Sequence, residues 1–217
     1  MRSERKSLPQ LLPAVAALLL GASTLAAQTD PWQADLPAAH VAEVNQARTA
    51  LRHGDGAAAE RVLSELLAAE PDSYRAQYNL GLALLAQEKN EAAAAALERA
   101  LEVRAKLGLT EPTIFNSLGW AHYLAGDLEK AEAAYLEGAK LVAINTAGSN
   151  QKLFNNLGTL YLRQGRLDEA DAAFLRARDE FGSSQAEANL ELVRSLRASE
   201  RYQRASRQLA VKPGSRE

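Results

Sequence analysis

A chain of 217 residues carries a formal net charge of −2, is 47% apolar and only 6% aromatic, and has no cysteine. Without thiols it can form no disulfide, thiolate metal site, cysteine nucleophile or lipid-modified N-terminal cysteine, so packing alone must hold it. Abundant Ala, Leu, Glu and Arg with few prolines favours helix over strand, because these side chains lose little freedom in a helix.

In chain order, residues 1–27 read as an export signal. Arg2, Arg5 and Lys6 are basic, Leu11 to Gly21 is apolar apart from Pro13, and Thr24-Leu25-Ala26 and Leu25-Ala26-Ala27 each end in the small residue that signal peptidase requires. Cleavage is expected after Ala26 or Ala27, which makes the protein exported and periplasmic. The alternative is an uncleaved anchor in the inner membrane facing the periplasm, although the apolar stretch is short for a span of ~20 residues. Residues 28–39, with Pro31 and Pro37, read as a flexible leader.

Four segments between residues 40 and 182 then align without internal gaps, over 40–73, 74–111, 112–150 and 151–182. The last two carry the fullest pattern: Phe115-Asn116-Ser117-Leu118-Gly119, Gly126-Asp127-Leu128, Ala131 and Tyr135, then Phe154-Asn155-Asn156-Leu157-Gly158, Tyr161, Gly165, Ala170, Phe174 and Ala177. The second has Tyr78-Asn79-Leu80-Gly81, Ala93 and Leu97, with Glu88-Lys89-Asn90 where the others have a turn glycine. The first is degenerate, with Glu43 at the bulky position and Ala47 at the glycine position. A glycine inside helical sequence costs about 1 kcal/mol relative to Ala. Its recurrence at Gly81, Gly119 and Gly158 implies a paired helix so close that a Cβ would collide. The repeats are spaced by 34, 38 and 39 residues from Ala47 to Gly158. The extra residues predict long second helices over Glu91–Leu107 and Leu128–Asn145, with Thr110 capping a third repeat opened by Glu111-Pro112. Ser184-Gln185-Ala186-Glu187 reads as a capping box that starts a terminal helix within 183–211, whose Leu190, Val193 and Leu196 form an apolar face. Residues 212–217 read as a disordered tail.

No catalytic or metal constellation emerges. His40, His53 and His122 stand without a second ligand at metal spacing, and Gly54-Asp55-Gly56 follows no strand and reads as a hairpin turn. Asp168-Glu169 fits the first turn of a helix, complementing its dipole. The expectation is a chain without enzymatic activity, cofactor or metal. Residues 28–190 hold 15 Lys and Arg against 23 Asp and Glu, and residues 191–217 hold 7 against 3. An acidic body argues against a nucleic-acid partner.

The large residue, Leu-Gly, aromatic, turn glycine, small Ala and second aromatic resemble the tetratricopeptide repeat family over about residues 40–182. The resemblance implies an all-α, right-handed α-solenoid of four helical hairpins, capped by the C-terminal helix, with a concave groove lined by the first helices. On the matching positions the implied partner-binding residues are Tyr78, Asn79, Asn116, Trp120, Tyr123, Asn155, Asn156 and Thr159. Ser117, Leu82, Leu85 and Leu162 occupy the same face, as do Val44, Asn45, Arg48 and Leu51 of the first repeat, and Arg75, Lys152 and Arg163 can line it. Trp120 and Tyr123 are read as outward anchors not needed for packing. Asn45, Asn79 and Asn156 can serve either a bound peptide or the neighbouring repeat. Some family members clamp a C-terminal carboxylate with basic residues at set positions; those do not line up here. Arg194, Arg197, Arg201 and Arg204 share one helix face, either simply solvated or in contact with anionic lipid or an acidic partner. The expected function is a protein–protein interaction scaffold of the bacterial cell envelope that holds a partner segment in the groove. The alternatives are an oligomerising subunit of an envelope assembly machine, acting through the convex face or capping helix, and a membrane-anchored adaptor.

Overall fold

The computed structural model describes residues 38–106 and 113–210, with the backbone alone for 38–39, 202 and 204–210. The export signal, most of the leader, the Thr110 cap and the tail after 210 lie outside these residues. The described residues form nine α-helices: α1 Ala38–Arg52, α2 Gly56–Ala69, α3 Tyr74–Leu85, α4 Asn90–Lys106, α5 Thr113–Ala125, α6 Leu128–Lys140, α7 Ala147–Arg163, α8 Leu167–Asp179 and α9 Ser184–Ala210. They contain no strand, and no helix among them is long and apolar enough to cross a membrane. By its contacts the chain divides after Thr110 into two compact units.

In the first unit, α1–α2 and α3–α4 are the two hairpins. Val44, Ala47, Leu51, Ala59, Leu63, Leu66, Ala76 and Ala83 form a continuous buried cluster. In the second unit, α5–α6 and α7–α8 are hairpins and α9 packs on the last. Its largest fully buried side chains are Tyr135, Phe174, Ile114, Leu153, Leu160, Leu190 and Val193.

Each of the last three hairpins closes on the predicted glycine. A Cβ on Gly81 would lie 2.5 Å from Leu97 Cγ, one on Gly119 2.5 Å from Tyr135 Cε1, and one on Gly158 2.6 Å from Phe174 Cε1. The partner always stands sixteen residues downstream, and the same offset links Ala47 to Leu63, both fully buried in one cluster. The small residues Ala59, Ala93, Ala131 and Ala170 are likewise fully buried in the second helices.

Side-chain caps start several helices. Asp55 accepts from Ala58 N (2.9 Å), Ser73 from Ala76 N (3.2 Å), Asp127 from Lys130 N (3.2 Å) and Thr146 from Ser149 N (3.2 Å), each satisfying an N–H that the helix itself leaves unpaired. The Lys130 N–H, with its ammonium group, holds the Asp127 carboxyl below its ordinary range. Two boundaries differ from the sequence reading. The second helix of the third repeat stops at Lys140 instead of reaching Asn145. A 3₁₀ turn over Val142–Ile144 follows, and the Thr146 cap opens an early, 17-residue α7. The extra residues therefore lengthen the next first helix, because Thr146 captures an N–H there. The last helix is capped by Ser183, which accepts from Ala186 N at 3.3 Å. The Ser184 capping box does not form, and Glu187 pairs instead with Arg178 at 3.0 Å.

Hairpin joins to hairpin through an acid that follows the small alanine, a device not anticipated from sequence. Glu60 accepts from Lys89 Nζ and Gln87 Nε2, each at 2.7 Å, and the Lys89 hydrogen bond, ahead of Gln87, lowers its carboxyl pKa. Glu132 takes Arg166 Nη1 on both oxygens, at 2.9 and 2.8 Å. Asp171 takes Arg197 Nη1 of α9 at 3.3 Å.

The turns inside the hairpins need a left-handed residue. Gly126 and Gly165 supply it at φ +89° and +74°, whereas the second repeat uses Glu88 at φ +60°. A side chain there costs ~1–2 kcal/mol, partly offset by the backbone entropy that a glycine would lose on folding. Glu88→Gly is therefore expected to raise stability by up to ~1 kcal/mol, read as a higher urea midpoint at unchanged m-value. An unchanged or lower midpoint would mean that the turn carries no such strain.

Candidate interaction surface

The residues singled out for partner binding fall in both units. In the first, Tyr78 is half-buried and stacks on Tyr74 with centroids 6.2 Å apart. Asn79 is buried, and its Nδ2 donates to Arg75 O of its own helix at 2.8 Å. Val44, Leu51 and Leu85, placed on the groove face by pattern, are instead core residues at 2%, 4% and 4% exposure.

In the second unit the structure brings Asn116, Trp120, Tyr123, Asn155, Asn156 and Thr159 together on the first helices α5 and α7, with α9 continuing the layer. Asn156 Nδ2 donates to Asn116 Oδ1 (3.0 Å), and Arg163 Nη1 donates to Tyr123 O (2.8 Å). Both contacts are offset by forty residues, so α5 and α7 run parallel. Asn189 Nδ2 donates to Asn155 Oδ1 (2.9 Å), and Gln151 Nε2 donates to Gly182 O (3.1 Å), which sets α9 parallel to α7 as well. The two readings open for Asn156 resolve structurally: it binds the neighbouring first helix. Asn189 completes the second rung and was missed, because no Leu-Gly pair marks its position.

The expectation that Trp120 and Tyr123 project outward is corrected. They are 3% and 7% exposed and stack on each other, with centroids 5.2 Å apart and planes 14° apart. The Arg163 guanidinium lies 4.8 Å from the Tyr123 ring centroid, so the residue that pattern placed beside the groove covers the aromatic. Thr159 is half-buried and its hydroxyl donates to Asn155 O at 2.9 Å. Each asparagine amide keeps hydrogen-bonding capacity beyond its rung, since an amide offers two N–H donors and a carbonyl acceptor.

Behind this layer, Tyr135 is fully buried, and its hydroxyl has no hydrogen-bond partner among the described residues. Burial, and secondarily Tyr123, pushes its phenol pKa well up. Burial, then the Glu132 carboxylate, also raises Tyr161, whose ring lies 4.2 Å below the Arg166 guanidinium. His122 is buried and His53 is exposed in the α1–α2 turn. No group of His, Asp and Glu among the described residues is arranged to hold a metal ion.

The arginine stripe of α9 is not uniform. Arg194 pairs with Glu191 (3.0 Å) and Glu187 (3.8 Å), and Arg201 is exposed. The side chain of Arg204 lies outside the described residues. Arg197 Nη2 reaches Asp168 Oδ1 at 2.7 Å and Leu167 O at 3.3 Å, while Nη1 reaches Asp171. It fastens α9 to the start of α8, with most of its side chain shielded from solvent. Arg197→Gln is expected to lower stability by about 1 kcal/mol, whereas Arg201→Gln should change it by less than about 0.5 kcal/mol, read from thermal or urea melts. Equal effects would remove Arg197 from the docking of α9.

A family model described as tetratricopeptide repeat matches residues 44–106, 85–143 and 155–210. Among solved structures the chain is similar to MamA, at 20% identity over 70% of this chain and 84% of that one, with a TM-score of 0.60. It is similar to a thermophilic TPR protein of Thermus thermophilus, at 24% identity over 70% and 79%, TM-score 0.57. It is also similar to a Podosopora anserina chain of nearly identical TPR-like repeats, at 16% identity over 84% and 94%, TM-score 0.62. These likenesses bear on fold alone. No curated protein matches the chain.

Proposed function

The chain belongs to the tetratricopeptide repeat family, and from that premise we propose that it is a non-enzymatic scaffold, exported to the cell envelope, that holds a segment of another protein on the first-helix face of its second unit. The fold it shares with the family generally serves protein–protein interaction. The observation that carries the finer reading is the parallel layer of α5, α7 and α9. Its asparagine rungs fix Asn116, Asn155, Asn156 and Asn189 in place, so their remaining donors and acceptors are preorganised for a peptide backbone. The basic n-region, apolar run and Ala26-Ala27 site support export.

Thr159 is the probe of choice, because it stands on this face without being a core residue. Thr159→Arg adds bulk and charge there and should leave the melting temperature within about 2 °C of wild type. Protein purified from the envelope fraction is expected to begin at Ala27 or Gln28. The wild type should co-purify with a partner that the Thr159→Arg variant loses. Equal partner recovery by both would remove this face from the function, and an intact Met1 in membrane-sedimenting protein would replace export with anchoring.

A further inference from the structure

Helices α5 and α7, the first helices of the second unit, contain no Asp or Glu, although α6 and α8 behind them contain seven. Of the nine lysines and arginines from Lys130 to Arg197, seven are paired with carboxylates of this chain: Lys130, Lys140, Arg166, Arg176, Arg178, Arg194 and Arg197. Lys152 and Arg163 have no carboxylate partner among the described residues, and both stand on α7. Eleven residues are three helical turns, so the two cations share one face about 16 Å apart. Asn155, Asn156 and Thr159 fill the stripe between them at the intervening turns. Beside it, Asn189 is bonded to Asn155, and one and two turns further along α9 stand Leu192 and Leu196, 48% and 39% exposed. An acidic protein thus presents one acid-free strip with a cation at each end, a polar centre and an apolar flank.

We propose that this strip binds an acidic segment of a partner protein in extended conformation. One carboxylate meets Lys152, a second meets Arg163, the backbone between them bonds the asparagine amides, and an apolar side chain covers Leu192 and Leu196. At about 3.3 Å per extended residue, carboxylates five residues apart span the ~16 Å between the cations. The arrangement rests on the first-helix face being the binding face. It adds the chemistry of the occupant: the field of the two cations selects negative segments and repels basic ones.

The full chain is presented with a displayed library of short random peptides, and the enriched sequences are measured against wild type, Thr159→Arg and Lys152→Gln/Arg163→Gln. The expected result is enrichment of Asp and Glu in pairs about five residues apart around an apolar residue. Affinity should fall about tenfold in Lys152→Gln/Arg163→Gln, as two exposed ion pairs would give. It should be largely retained in Lys152→Arg/Arg163→Lys, which keeps both charges, and should weaken steeply with added salt. Melting curves exclude unfolding as the cause. Peptides that bind and are lost in Thr159→Arg, but show no acidic bias or bind Lys152→Gln/Arg163→Gln as well as wild type, would overturn the acidic occupant and leave the face intact. Absence of any enriched peptide, or indifference to Thr159→Arg, would overturn both.

Discussion

The structure depends on one contact made three times: a helical glycine against a large side chain sixteen residues on, with no room for a Cβ between them. Glycine in mid-helix is a local loss. It is recovered because the paired helix comes close enough for Tyr135 and Phe174 to lie flat against backbone, fully buried. Interiors pack to crystal-like density, so a one-carbon intrusion at this point cannot be absorbed cheaply. The first hairpin does without the glycine, and there Ala47 shares a buried cluster with Leu63 at the same offset.

A hairpin closed in this way still exposes one face, which its neighbour must cover. Within each unit the covering is registered by the acid after the small alanine. Glu60, Glu132 and Asp171 occupy equivalent positions and each grips a cation of the following element. The second hairpin carries Ala94 at that position. At the end of the array the corresponding face of α9 is closed with charge: Glu187, Glu191 and Arg194 pair among themselves and with Arg178. The helix can therefore end the stack without leaving that apolar face for another.

Most of the fold was legible in the sequence, because the glycine and its partner keep a constant offset and the turn residues announce themselves chemically. The exceptions have physical causes. Glu88 hides a left-handed turn behind a residue type that rarely adopts one. The break after Lys140 was decided by a better cap at Thr146, a competition that residue spacing does not reveal. The acid–cation joins were invisible because their partners lie 29, 34 and 26 residues away, at no fixed offset. The candidate site was legible in position more than in role. The face was located correctly enough for Asn116, Asn155, Asn156 and Thr159 to meet on it. The pattern could not show that Arg163 would close over Tyr123, or that asparagines would spend one amide bond each on their neighbours. The surface left to a partner is consequently polar and cationic, with its aromatics beneath.

Hairpin closure that rests on a missing Cβ carries a prediction of sign. Gly158→Ala should destabilise the wild-type chain, because Phe174 Cε1 would lie 2.6 Å from the new carbon. In a Phe174→Val background the ring is gone, and only the helix-propensity gain of alanine, about 1 kcal/mol, remains. Urea denaturation of the four proteins measures this directly. Gly158→Ala is predicted to lower the stability of wild type and to raise that of Phe174→Val, a coupling above about 1 kcal/mol. The same effect of Gly158→Ala in both backgrounds would contradict closure by the missing Cβ.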